Sequence, residues 1–164
     1  MSTNTLAPQF DALLSVLSRI PSRDFSAVQT SVDLLETAQA MFRCLEERFF
    51  KDVVSKGKFM VLTLLMDAPE SQMTPSELAS KAGVTRATMT GLLDRLETEG
   101  HVTRAQSQED RRKLTINLTQ AGQDFLQDVL PRLAELLESI GASLPAGNRG
   151  TLNGLLGSMK EALS

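Results

Sequence analysis

The chain has 164 residues, with hydrophobic residues at 41% and charged residues at 23%, which supplies a packed core and excludes disorder as the main state. Its single cysteine, Cys44, and single histidine, His101, exclude an internal disulfide and a His/Cys zinc site within one chain. A formal net charge of -3 argues against indiscriminate coating of nucleic acid but leaves room for a small basic face on an acidic body.

Apolar spacing reads as helix through most of the chain. Phe10, Leu13, Leu14, Leu17 and Ile20 form a short amphipathic helix stopped by Pro21. A second helix runs from about Ser31 to Phe50 on Leu34, Leu35, Ala38, Met41, Phe42, Leu45 and Phe49. Gly57 punctuates, and Phe59, Leu62 and Leu65 mark a third helix ending near Pro69. Thr74-Pro75-Ser76-Glu77 is a helix start: Thr74 caps, Pro75 suits the first helical position, and Glu77 completes a capping box. Gly83 closes that short helix as a left-handed cap. Thr85 caps the next helix, whose buried face is Met89, Leu92, Leu93 and Leu96, and Gly100 ends it.

From there the period changes to two. Val102 and Arg104, then Leu114, Ile116 and Leu118, mark two strands joined by a polar tip over Ala105–Lys113. Thr119 caps a long helix carried by Phe125, Leu126, Val129, Leu133 and Ile140, with Pro131 expected to kink it. A last helix spans about Ala146 to Leu163. No internal repeat interrupts this order.

Few features support an enzyme. No Gly-x-Gly-x-x-Gly, Walker-type loop or Gly-x-Ser-x-Gly occurs, and His101 is the only histidine for acid–base work. His101 reads more simply as a packing residue. No apolar run reaches the roughly 18–20 residues of a membrane span, and Met1-Ser-Thr-Asn-Thr lacks a basic region leading into an apolar one. The expectation is a soluble cytoplasmic chain with no cofactor and no metal.

The informative window is Thr74 to Gly122. Two short helices around a tight Gly83 turn, followed by a hairpin, make a helix-turn-helix with a wing, whose second helix enters the DNA major groove by its N-terminal end. Thr85, Arg86, Thr88, Met89 and Thr90 stand at that end. Arg86 suits a guanine edge or a phosphate; the plain alternative is a cap and a solvated charge. At the hairpin tip, Asp110 precedes three cations, Arg111, Arg112 and Lys113, a composition suited to a narrow minor groove. Arg104 and Lys113 read as phosphate contacts or solvated charges. Arg95 contacts a phosphate or pairs with a wing carboxylate as wing support. Thr74–Thr115 holds seven Lys/Arg against six Asp/Glu, a balance of +1, and the rest holds ten against fourteen, or -4. The acidity therefore lies outside the candidate DNA-binding segment.

Thr85-x-x-Thr88-x-Thr90-x-Leu92-Leu93-Asp94-Arg95-Leu96-Glu97-x-x-Gly100-x-Val102-x-Arg104, then Glu109-Asp110-Arg111-Arg112-Lys113 and Leu118-Thr119-x-Ala121-Gly122, resembles the MarR family of bacterial winged-helix regulators. The resemblance is dense over about Leu78–Gly122 and extends by helix order over Ser31–Leu163. It implies a mainly α fold with a small β-hairpin wing, a winged helix-turn-helix plus terminal dimerisation helices. It further implies a homodimeric repressor of a near-palindromic operator in double-stranded DNA, released by a small aromatic or anionic effector. By position, Arg86, Thr88, Met89 and Thr90 face the groove, Arg112 is the minor-groove arginine, and Asp110 orients it. The wing departs from the family at Ala105 and Ser107, where many members carry a cation and an acid.

Grouped as one compact domain, the chain divides into an N-terminal extension over 1–30, dimerisation helices over 31–55 and 120–164, and the winged segment over 56–119. The surplus of Leu, Ile, Met and Phe in the terminal helices is what burial between two subunits explains. Two other readings stand beside this one: a winged-helix module that binds protein instead of DNA, and a redox-sensing regulator acting through Cys44. Between Met41 and Leu45, Cys44 reads more simply as a buried packing residue.

Overall fold

Asp24 starts the helix that dominates the N-terminal part of the chain. Its carboxylate accepts from the Ser26 hydroxyl at 2.9 Å and from the Ser26 and Ala27 amides at 3.0 and 3.3 Å. Two amides that a helix start leaves open are thereby satisfied. The same bonds, the Ser26 hydroxyl's foremost, hold the Asp24 carboxyl below its ordinary 3.8.

The computed structural model describes residues 7–21, 24–51, 53–106 and 114–164. They fall into two units, 1–52 and 53–164, where the sequence suggested one compact domain. In the first unit α1 (Ala7–Leu17) packs against α2 (Phe25–Leu45), which widens into a π-type turn over Glu46–Phe50. The second helix therefore begins six residues before Ser31, because Phe25, Val28 and Val32 continue its apolar spacing backwards to the Asp24 cap. Val32 and Phe49 are buried, and Phe49 meets the Phe50 ring edge-on at 5.1 Å.

The second unit contains α3 (Lys56–Asp67), β1 (Gln72–Met73), α4 (Pro75–Ala82), α5 (Arg86–Thr98), β2 (Val102–Gln106), β3 (Leu114–Leu118), α6 (Gln120–Ala142) and α7 (Ala146–Ala162). Its core is local pattern made tertiary. Val61, Leu62 and Leu65 of α3, Leu78 and Ala79 of α4, and Met89, Leu93 and Leu96 of α5 bury one stripe each. Val102, Ile116 and Leu118 close the core from the sheet, and Leu126 and Val129 from α6. Gly57 does not punctuate. It lies inside α3, where an added Cβ would stand 3.0 Å from Leu92 Cδ2, so its missing side chain makes room for α5. Pro131 lies within α6, which continues from Gln120 to Ala142.

The sheet is antiparallel in the order β1-β3-β2. β1 was not legible in the sequence: two residues, Gln72 opposite Asn117 and Met73 opposite Ile116, are too few to show a period. β2 and β3 pair from Val102 opposite Leu118, through Arg104 opposite Ile116, to Gln106 opposite Leu114. Period two puts Val102 and Arg104 on one face of β2, the face that meets α5.

Candidate nucleic-acid interface

Both helices of the helix-turn-helix are set by local chemistry. Thr74 Oγ1 accepts from the Glu77 amide at 3.3 Å while Glu77 accepts from the Thr74 amide at 2.8 Å, a complete capping box with Pro75 behind it. Gly83, at φ 64°, ends α4: the Gly83 and Val84 amides donate to the Ser80 and Ala79 carbonyls. That reversal needs a left-handed residue, which glycine supplies without steric cost. Two residues after Gly83, Thr85 caps α5, accepting from the Thr88 amide at 3.1 Å, and its hydroxyl shares a 2.9 Å hydrogen bond with that of Thr88.

The outcome is a helix start that presents a cation and hydroxyls on one exposed surface. Thr85, Arg86, Thr88 and Thr90 are all exposed. Arg86 and Thr90 line a groove of about 620 Å³ with Thr74, Pro75, Ser76 and Glu77 from the start of α4 and with Leu114 from β3. Such a surface suits an anion, since the helix N-terminus, the guanidinium and the hydroxyls favour phosphate or base-edge contacts.

Met89 is a correction. The family resemblance put it among the groove-facing residues, but its side chain is only 1% exposed, packed in the core with Leu93 and Leu96. A side chain at that depth does not reach DNA. The helical period already places Met89, Leu93 and Leu96 on one buried stripe, and Arg86, a turn earlier at the helix start, is exposed.

Arg104 also differs from its sequence reading of phosphate contact or solvated charge. Its Nη2 pairs with Asp94, and its Nε lies 3.5 Å from Glu97 Oε2, an ionic contact without a formed hydrogen bond. Arg104 thus ties β2 to α5, the supporting role expected of Arg95. Arg95 itself is exposed and makes no ion pair among the described residues. Asp110, Arg111, Arg112 and Lys113 lie outside the described residues, as does the rest of the tip over 107–113.

Behind the interface, Lys58 of α3 pairs with Glu99 at the end of α5. Gly100, at φ 77°, turns the chain into β2, and the His101 amide donates to the Leu96 carbonyl at 2.9 Å. The His101 ring lies 5.0 Å from that of Phe125, which makes it a packing residue of the strand–helix junction. Its Nδ1 is buried without a hydrogen-bond partner. Cys44 is half-buried on α2. Among the described residues, no three or more His, Cys, Asp or Glu side chains are grouped to hold a metal ion, and no helix is long and apolar enough to cross a membrane.

A model of the MarR family matches residues 54–114. The HTH-type transcriptional repressor YetL of Bacillus subtilis is 33% identical over 141 residues, covering 86% of this chain and 84% of that protein. Among solved structures, Sco3205, a MarR family transcriptional regulator from Streptomyces coelicolor in complex with DNA, superposes with a TM-score of 0.67 at 22% identity, covering 88% of this chain and 94% of the other. The PcaV transcriptional regulator of Streptomyces coelicolor, in complex with its natural ligand, gives a TM-score of 0.63 at 18% identity, covering 88% and 100%.

Proposed function

The chain belongs to the MarR family of DNA-binding transcriptional regulators, and from that premise we propose that it is a homodimeric repressor of a near-palindromic operator. The observation that carries this reading is the contrast within α5 between a buried stripe and an exposed start. Met89, Leu93 and Leu96 are buried in the core, while Thr85, Arg86, Thr88 and Thr90 are exposed at the helix start. That arrangement frees the N-terminal end of the helix for a major groove. In this reading Arg86 takes a guanine edge and Thr85, Thr88 and Thr90 take phosphates or bases. The tip residues Arg111, Arg112 and Lys113 serve the adjacent minor groove and backbone, with Asp110 orienting Arg112.

Dimerisation rests on apolar surface. Leu35 and Phe42 of α2 are exposed in the first unit, and Leu152 and Leu155 of α7 in the second. A second copy covers such surface and places two recognition helices on successive half-sites about one DNA turn apart. The proposed effector is a small aromatic or anionic molecule that releases the operator, and the cytoplasm is where such a regulator acts. The complexes of Sco3205 with DNA and of PcaV with its ligand lend support by analogy of fold.

Selection of bound sequences from random duplex DNA tests the proposal. An inverted repeat is the expected product. Enrichment of no duplex, with binding that is weak and indifferent to salt, favours a protein-interaction module instead.

A further inference from the structure

The charges of α5 stand in an order that its own helix disfavours. Asp94, Glu97 and Glu99 occupy the C-terminal part, the end at which the helix dipole favours cations. Cations from two neighbouring elements answer them, Lys58 from α3 and Arg104 from β2. The carboxylates are therefore badly placed for the isolated helix and well placed for tertiary ties.

Resting on the reading of the chain as a DNA-binding repressor, we propose that Arg104 is a positioning residue for DNA recognition. By bridging Asp94 and Glu97 it fixes the angle between the recognition helix and the β2–β3 ribbon, so that both reach DNA as one rigid reader. The geometry suits that task. Asp94 and Glu97 lie three residues apart on one helix face, and the Nη2 and Nε of one planar guanidinium straddle them. A two-point contact of this kind resists both rotation of α5 about its axis and tilting of the ribbon. Arg104 is opposite the buried Ile116 in the ladder, so the restraint passes to β3 as well. The Arg104 side chain is 29% exposed, which shields the contact in part from bulk solvent.

Charge alone makes the opposite forecast from positioning. Replacing two carboxylates beside the interface by amides removes two negative charges and, on electrostatics alone, tightens all DNA binding. Positioning instead predicts a loss of discrimination. The test takes the full chain and an operator recovered by selection, and measures affinity for that operator and for a version with altered flanks at two salt concentrations. The variants are Arg104→Ala and the double variant Asp94→Asn/Glu97→Gln, whose exposed positions leave the core untouched; circular dichroism confirms folding of each.

In both variants the operator-to-altered-flank affinity ratio is expected to fall by about fivefold, the scale of an exposed ion-pair network. The salt dependence of Arg104→Ala is expected to stay that of the parent. An unchanged ratio in the folded double variant overturns the proposal. So does a salt slope lower by about one in Arg104→Ala with equal losses on both duplexes, which assigns Arg104 a phosphate and leaves the DNA-binding reading intact. A parent protein indifferent to the flanks overturns the positioning role alone. A parent protein that enriches no duplex removes both.

Discussion

Gly122 lies directly beneath the backbone carbonyl of His101: a Cβ at Gly122 would stand 2.3 Å from that oxygen. The same carbonyl accepts from the Thr119 amide at 3.1 Å, while the Thr119 hydroxyl donates to the Gly100 carbonyl at 2.7 Å and accepts from the Gly122 amide at 3.0 Å. The Leu-Thr-x-Ala-Gly run is thus the joint at which β3 ends, α6 begins and the end of α5 is held.

Gly122→Ala is expected to destabilise the protein by about 2–3 kcal/mol, because the obstacle is backbone and cannot rotate away. Gly91→Ala is the matched control. Gly91 is exposed inside α5 with no atom near its absent Cβ, so alanine there is expected to stabilise by about 0.5–1 kcal/mol. Urea midpoints of the two variants without DNA check both signs, and equal effects would refute the close-approach account.

Met89 and Arg86, three residues apart on the same helix, are expected to separate folding from binding. Met89→Ala should cost about 2–5 kcal/mol of stability through a core cavity. Arg86→Ala should leave stability within about 0.5 kcal/mol and weaken operator binding by about 1–3 kcal/mol, relaxing preference at one position per half-site. Denaturation and binding titrations on both variants decide the matter; equal stability losses would mean that the buried stripe and the exposed start of α5 are misassigned.

Removing the α4 cap by Thr74→Ala is expected to cost about 1 kcal/mol. The Glu77 amide loses its acceptor while the amide at position 74 keeps the Glu77 carboxylate, so hydrogen exchange should accelerate first at Glu77. Uniform acceleration across the second unit would instead indicate global loosening.

The N-terminal unit carries a pH signature at Asp24. Its carboxyl is held below 3.8 in the folded chain, so the capping contribution is complete above that value and is lost as pH falls through the lower folded one. Carboxyl NMR titration should place the Asp24 midpoint below that of an exposed aspartate, with the Ser26 and Ala27 amide shifts following it. A midpoint at or above 3.8 would contradict the cap.

How much of this was legible beforehand follows from the range of the interactions. The capping box at Thr74–Glu77, the Gly83 turn and the Thr85 and Thr119 caps are settled within four residues, and the sequence shows them. Met89 was misplaced although its spacing from Leu93 and Leu96 marks a buried stripe; position in a family pattern outweighed periodicity. Gly57 and Arg104 depend on partners in another element, Leu92 for one and Asp94 with Glu97 for the other, so local pattern gave no sign of them. The short β1 strand is recognisable only through its pairing with β3. The α2 start at Asp24 is legible, since Asp24-Phe25-Ser26 is a cap followed by apolar spacing.

The sheet order β1-β3-β2 has a consequence during synthesis. β3 is made last and lies between the other two, so neither β1 nor β2 has a ladder partner in this sheet until Leu114–Leu118 has left the ribosome. The helices α3, α4 and α5 precede it and can pack against one another in the meantime. A chain stalled or cut short before Leu114 therefore carries open strand edges, the feature most prone to wrongful pairing between molecules. Translation through this one short strand sets the moment at which the sheet can form and its open strand edges cease to be an aggregation hazard.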